Sequence, residues 1–211
     1  MNTRNTASNK SVWLIGGIAA AIAIAAIIAV ATQSGSDEVV TGIEEFNTVE
    51  VSGEPLPQFS DSATDKAIGM TAPLLTGKGF TGNTIVTTPG APTLLVFLAH
   101  WCPHCQREVP RLVQWNSAGL VPSGLDVIAI TTSTDPASPN FPPSEWLARE
   151  EFPALWPVMT DSGEKTAASA MGVSGFPFFV LLDEQGKVAL RISGEVETEA
   201  LTEQINKALG K

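Results

Sequence analysis

The feature that most constrains this chain is the pentapeptide Trp101-Cys102-Pro103-His104-Cys105, which contains both of its cysteines. It follows an apolar run, Thr93-Leu94-Leu95-Val96-Phe97-Leu98-Ala99, that reads as a buried strand, and it precedes a segment, 106–115, that reads as the opening of a helix. Two cysteines separated by two residues at a strand-to-helix junction form a redox pattern with a physical reason behind it. The first turn of a helix leaves N–H groups unpaired and carries the positive end of the helix dipole. Both favour a thiolate at Cys102, and the thiolate is the species that attacks a disulfide. Cys105 lies about one helical turn further on, where it can close a ring with Cys102.

The 211 residues suit one domain of about 140–150 residues with additions. A domain of that size buries a core unaided, so two cysteines do not amount to a disulfide scaffold. The formal net charge of −10 argues against a nucleic-acid partner, which selects for basic surface.

Residues 1–11 are polar and carry Arg4 and Lys10 without an acid. Residues 12–31 hold no charge and are almost wholly Ile, Ala, Val, Leu and Gly. As a helix this stretch is roughly 30 Å long, enough to cross a bilayer. Asp37, Glu38, Glu44 and Glu45 follow it. This asymmetry predicts a cytoplasmic N-terminus at 1–11, a transmembrane anchor at 12–31, and an extracytoplasmic remainder where disulfides persist. A cleaved signal peptide is the competing reading, since Ala29-Val30-Ala31 has the small-x-small pattern. Residues 32–68 have the composition of a tether, with weak strand signals at Val39-Val40 and Val49-Glu50-Val51. The globular domain is expected over 69–211.

Within that domain, Ala72-Pro73-Leu74-Leu75 reads as an entry segment and Thr84-Ile85-Val86-Thr87 as a strand. Pro110 predicts a kink in the cysteine helix and Gly119 its end. Residues 125–131 form a second buried strand, and a helical crossover between the two makes them parallel. The proline-rich connection 132–143 is long enough to be functional. Ser144 is expected to cap a helix, 156–160 to form a short strand, and 165–171 a helix closed by Gly172. Residues 178–183 and 188–192 read as a hairpin. A last helix, with Thr198 as its cap, carries Leu201, Ile205 and Leu209 on one face. No phosphate-binding glycine loop follows a strand, so no organic cofactor is implied.

This succession resembles the thioredoxin fold, an α/β architecture with a central mixed sheet flanked by helices, over about residues 69–211. It is most similar to the membrane-anchored TlpA/ResA-like thiol–disulfide oxidoreductases. The residues that carry the resemblance are Ala72-Pro73, Trp101-Cys102-x-x-Cys105, Glu108-x-Pro110 and Gly175-Phe176-Pro177. It implies a cis peptide before Pro177, facing the cysteines. Pro103-His104 departs from that branch and is the dipeptide of DsbA-type oxidants.

Cys102 is the expected nucleophile and Cys105 the resolving thiol. His104 is expected to tune the Cys102 thiolate. The resemblance implies that Glu108 relays the proton that Cys105 exchanges, a task suited to a carboxyl in a partly apolar site. Trp101, Pro103, Phe176 and Pro177 are expected to form the groove for substrate main chain. The segment 140–146 borders it or simply enters a helix. A zinc site from His100, Cys102, His104 and Cys105 is the competing chemistry, but His100 ends a strand and is not expected to converge with the helix-borne pair. No metal is therefore assigned.

The resulting expectation is thiol–disulfide exchange with extracytoplasmic protein substrates, served by a membrane redox partner. Pro103-His104 leans it toward oxidation. The Glu108-x-Pro110 branch suggests instead a reductant in cytochrome c maturation. A metal chaperone or a redox-inert binding module is the alternative from another class. Peroxidase chemistry lacks the Pro-x-x-x-Thr-x-x-Cys segment it requires.

Overall fold

A computed structural model describes residues 42–211. The expected cytoplasmic segment, the 12–31 span and the first part of the expected tether lie outside the described residues. Among the described residues, no helix is long and apolar enough to cross a membrane.

Six consecutive buried residues, Thr93–Leu98, form β4, the central strand. Around it a five-stranded sheet runs in the order β6-β5-β4-β7-β8, with β5 Asp126–Thr131, β6 Val158–Thr160, β7 Phe178–Leu182 and β8 Val188–Ser193. The β4–β5 and β5–β6 pairs are parallel, and β4–β7 and β7–β8 are antiparallel. A strand turns alternate side chains to opposite faces. Leu94, Val96 and Leu98 thus enter one core with α1 (Pro103–Ser117), α2 (Pro143–Arg149) and α4 (Thr198–Ala208), while Leu95 and Phe97 enter a second with α3 (Thr166–Ala170). This is the thioredoxin-like α/β arrangement that the resemblance implies, and it puts the cysteine pair at the C-terminal edge of β4.

The globular region begins earlier than residue 69. Residues 42–68 had the polarity of a tether, yet they pack on the domain. β1 (Glu50–Ser52) pairs with β2 (Leu74–Lys78), which pairs with β3 (Thr84–Val86) in a three-stranded antiparallel sheet. Val49, Leu56 and Ala67 are buried. Leu56 N–H donates to Ala170 O and Phe59 N–H to Gly172 O, both at 2.8 Å. Arg191 fixes the same strap: its Nε donates to Asp65 Oδ2 at 2.9 Å and its Nη1 to Pro57 O at 2.9 Å. Burial alone would raise the Asp65 pKa, but the Arg191 guanidinium overcomes that and holds the carboxyl below its usual range. At Gly172, with φ +67°, a Cβ would collide with the Pro57 carbonyl. A few apolar residues and one buried ion pair, spaced without periodicity, therefore outweigh a composition that reads as linker.

α1 runs from Pro103 to Ser117 with Pro110 inside it, which leaves the Gln106 carbonyl without its helical donor. Two local expectations are revised. Pro142, not Ser144, is the N-cap of α2, and Ser144 instead donates its backbone N–H to Glu45 Oε2 at 3.1 Å. Glu197, not Thr198, caps α4, and the Thr198 hydroxyl donates to Glu199.

Candidate active site

The chain leaves β4 and turns at once: Cys102 N–H donates to Ala99 O at 3.0 Å. Cys102 is the extended N-cap residue of α1, Pro103 opens the helix, and Gln106 N–H donates to Cys102 O at 3.0 Å. Proline suits that position because its missing N–H would have lacked an intrahelical partner anyway. Cys102 thus sits at the N-terminus of α1, at the positive end of the helix dipole.

The two cysteines differ in access. Cys102 keeps 7% of its surface exposed, and its thiol lies 3.5 Å from the Phe176 carbonyl oxygen. Cys105 is fully buried and accepts a hydrogen bond from Ala99 N–H at 3.4 Å. Burial pushes the Cys105 thiol well up, against the pull of that N–H, and the nearby charges of Cys102 and Glu108 add to the rise. Both thiols are free.

Glu108 is fully buried on the same helix. Its Oε2 accepts from Val196 N–H at 3.2 Å and from Arg111 Nη1 at 3.4 Å, and its Oε1 has no partner. Burial pushes its pKa up to about 7, with the Val196 N–H and Arg111 opposing. A carboxyl poised there can give or take a proton at neutral pH.

His104 faces outward, its side chain 60% exposed, and its Nδ1 lies 2.6 Å from Glu195 Oε1. Arg107 and Arg111 converge on the same carboxylate, Arg107 Nη2 at 2.6 Å from Oε1 and Arg111 Nη1 at 2.7 Å from Oε2. These donors, Arg107 first and His104 next, pull the Glu195 pKa down to about 2. Glu195 has no counterpart in the sequence reading, because 91 residues separate it from His104 and no local spacing ties the two together.

The Phe176–Pro177 peptide is cis, and Pro177 is buried just before β7. Trp101 stands edge-on to Phe176, ring centroids 6.3 Å apart, and its Nε1 donates to Ser133 O at 2.7 Å. Trp101, Phe176 and the exposed Pro103 thus lie around Cys102. His100 is buried and turned the other way. Its Nε2 accepts from Asp135 N–H at 3.1 Å and its Nδ1 contacts Pro139 O at 2.7 Å, so it organises the 132–142 connection. The four-residue zinc set is not assembled, and among the described residues no other cluster of metal-ligating side chains occurs. The same connection contains a second cis peptide, Phe141–Pro142, and brings Phe141 against His100.

An N-cap thiol with a small exposed edge, a fully buried partner one turn on and a buried acid on the same helix, carried on a thioredoxin-like sheet, define a thiol–disulfide oxidoreductase. Comparison with known proteins agrees. The Redoxin family model matches residues 52–209, and the chain belongs to that family. It is 28% identical over 154 residues to the thiol:disulfide interchange protein DsbE of Pseudomonas aeruginosa, covering 72% of each chain. It is 30% identical over 123 residues to the thiol-disulfide oxidoreductase ResA of Bacillus anthracis, covering 56% of this chain and 64% of that one. The Chlorobium tepidum crystal structure assigned as a DsbE superposes with a TM-score of 0.56 at 30% identity, covering 68% of this chain and 98% of that one.

Proposed function

We propose that the protein reduces disulfides in extracytoplasmic proteins, held at the membrane by residues 12–31. The observation that carries the direction is the burial of Cys105 beside Glu108. A thiol whose pKa is pushed up is a stronger nucleophile once ionised and a poorer leaving group. Reduction of a substrate uses Cys105 as nucleophile, whereas oxidation of a substrate needs it to leave.

In the first step the Cys102 thiolate attacks one sulfur of the substrate disulfide. The other substrate sulfur leaves and takes a proton, and a mixed disulfide forms on Cys102. In the second step Cys105 gives its proton to the Glu108 carboxylate and attacks Cys102 Sγ. The bond from Cys102 to the substrate breaks, the released sulfur takes a proton from solvent, and the substrate leaves as a dithiol, two electrons richer, while the Cys102–Cys105 disulfide remains. A membrane redox partner then returns the pair to the dithiol. The TlpA/ResA-like resemblance points to apocytochrome c as substrate.

The opposite direction is favoured by the Pro103-His104 dipeptide alone. The potential of the purified protein separates the two. A value of about −200 mV or lower supports the reductant, and one near the roughly −120 mV of a strong oxidant overturns it. Protease accessibility in spheroplasts tests the placement: protection of the domain from added protease would refute it.

A further inference from the structure

The motif carries the histidine of an oxidant within the framework of a reductant, and the exposed flank of α1 shows how the two are reconciled. We propose that Glu195 is a positioning residue that sets the potential of the Cys102–Cys105 pair, by engaging His104 and capturing the Arg107 guanidinium, and so withholding positive charge from the Cys102 thiolate.

Glu195 is held in place from both sides. Gly194, in the left-handed region at φ +95°, donates its N–H to Pro177 O at 2.9 Å. Val196 donates its N–H to Glu108 Oε2 at 3.2 Å. The carboxylate between these anchors is fixed relative to both the proline at the cysteines and the buried acid. His104 Nδ1 reaches it at 2.6 Å. Arg107 reaches it through Nε at 3.1 Å and Nη2 at 2.6 Å. Arg111 binds its other oxygen at 2.7 Å, extends to Glu108 at 3.4 Å, and pairs with Glu197 at 3.1 Å. The charged groups on this flank are therefore His104, Arg107, Glu108 and Arg111 from the helix, and Glu195 and Glu197 from the β8–α4 connection.

A free cation beside a thiolate stabilises the reduced form of the pair and makes its disulfide more oxidising. A cation closed onto a carboxylate presents only a dipole, whose field falls off faster with distance. Arg107 is placed to matter: its proton is held first by Glu195 and, more weakly, by the charge of Cys102. Glu195 remains ionised at any physiological pH. The inference rests on Cys102 and Cys105 being the redox pair, but not on the direction proposed above.

The test is equilibration with glutathione, in which the protein disulfide and two glutathione thiols exchange with the protein dithiol and glutathione disulfide. Glu195→Gln is expected to raise the constant for reduction of the protein about tenfold, which is ~30 mV toward oxidising. The Cys102 titration, followed by ultraviolet thiolate absorbance, is expected to move to lower pH. In a His104→Ala, Arg107→Ala background the same substitution is expected to shift both by less, leaving only what Arg111 and the lost carboxylate charge contribute. Glu195→Asp, which keeps the charge but shortens the reach, is expected to shift the constant in the same direction by less. A Glu195→Gln protein within about twofold of wild type, or more reducing than it, overturns the proposal, as does a full shift that persists in the double background. The absolute wild-type potential judges the reductant reading, and the difference between variants judges this one.

Discussion

Glu108 belongs to α1 and Glu195 reaches the same helix from the β8–α4 connection; burial pushes the pKa of the first up to about 7, and its hydrogen-bond donors, Arg107 first, pull that of the second down to about 2. Arg111 touches both. Glu108 is starved, with one oxygen unpartnered in the core, while Glu195 is saturated by two arginines and a histidine. Their effects on stability have opposite signs. A raised acid is neutral in both folded and unfolded chains below about 4.5, and its ionisation costs stability increasingly between there and about 7. A depressed acid contributes stability above about 4.5 that is lost as pH falls toward 2. The difference shows how one helix end divides its labour. On the reading proposed above, the inward face would store a proton for Cys105 and the outward face would fix charge around Cys102.

Breaking the pair itself has the largest effect. Cys102→Ser is expected to abolish disulfide exchange, and Cys105→Ser to accumulate a mixed disulfide with substrate that non-reducing electrophoresis detects. Recovery of turnover in Cys102→Ser would remove the distinction between the two faces.

The strap supplies a control far from the helix end. Asp65→Ala leaves Arg191 buried without its partner and is expected to cost about 3–5 kcal/mol in denaturant unfolding. It should leave the redox potential unchanged. A moved potential would mean that the site's electrostatics are not local to the helix.

Glu108→Gln is expected to slow the resolving step by about tenfold to a hundredfold, near the low end for a lost proton-transfer group. In the wild type that step should speed up as pH rises through about 7, because the carboxylate is the base, and the variant should lack this inflection. The same substitution should stabilise the fold at pH 8, by at most about 3 kcal/mol, and leave it unchanged at pH 4. Equal melting temperatures of variant and wild type at pH 8 would contradict a starved carboxyl.

The smallest effect belongs to the groove. Trp101→Ala removes the edge-on contact with Phe176, worth about 0.5–1.5 kcal/mol, and is expected to raise KM for a protein substrate a few-fold with kcat unchanged. A change confined to kcat would place Trp101 in the chemistry instead.

Much of this architecture was legible along the chain because it is local. The all-apolar run 94–98, the two-residue cysteine spacing and the hairpin of β7 and β8 each declare themselves within a few residues, and a central strand must be apolar on both faces. Gly119 and Gly172 ended their helices in the left-handed conformation, as expected from glycine's lack of a Cβ. The strap at 42–68 and the displaced cap of α2 were not legible, because their partners lie far away in sequence: Arg191 for Asp65, and Glu45 for Ser144.

What the sequence determined by itself was the redox pair and the sheet that carries it, since strand burial, helix dipole and cysteine spacing are properties of adjacent residues. Tertiary structure alone decided the ionisation around that pair. The same side-chain type becomes a proton store at 108 and a fixed anion at 195, because pKa depends on desolvation and on the charges that folding brings within hydrogen-bond reach.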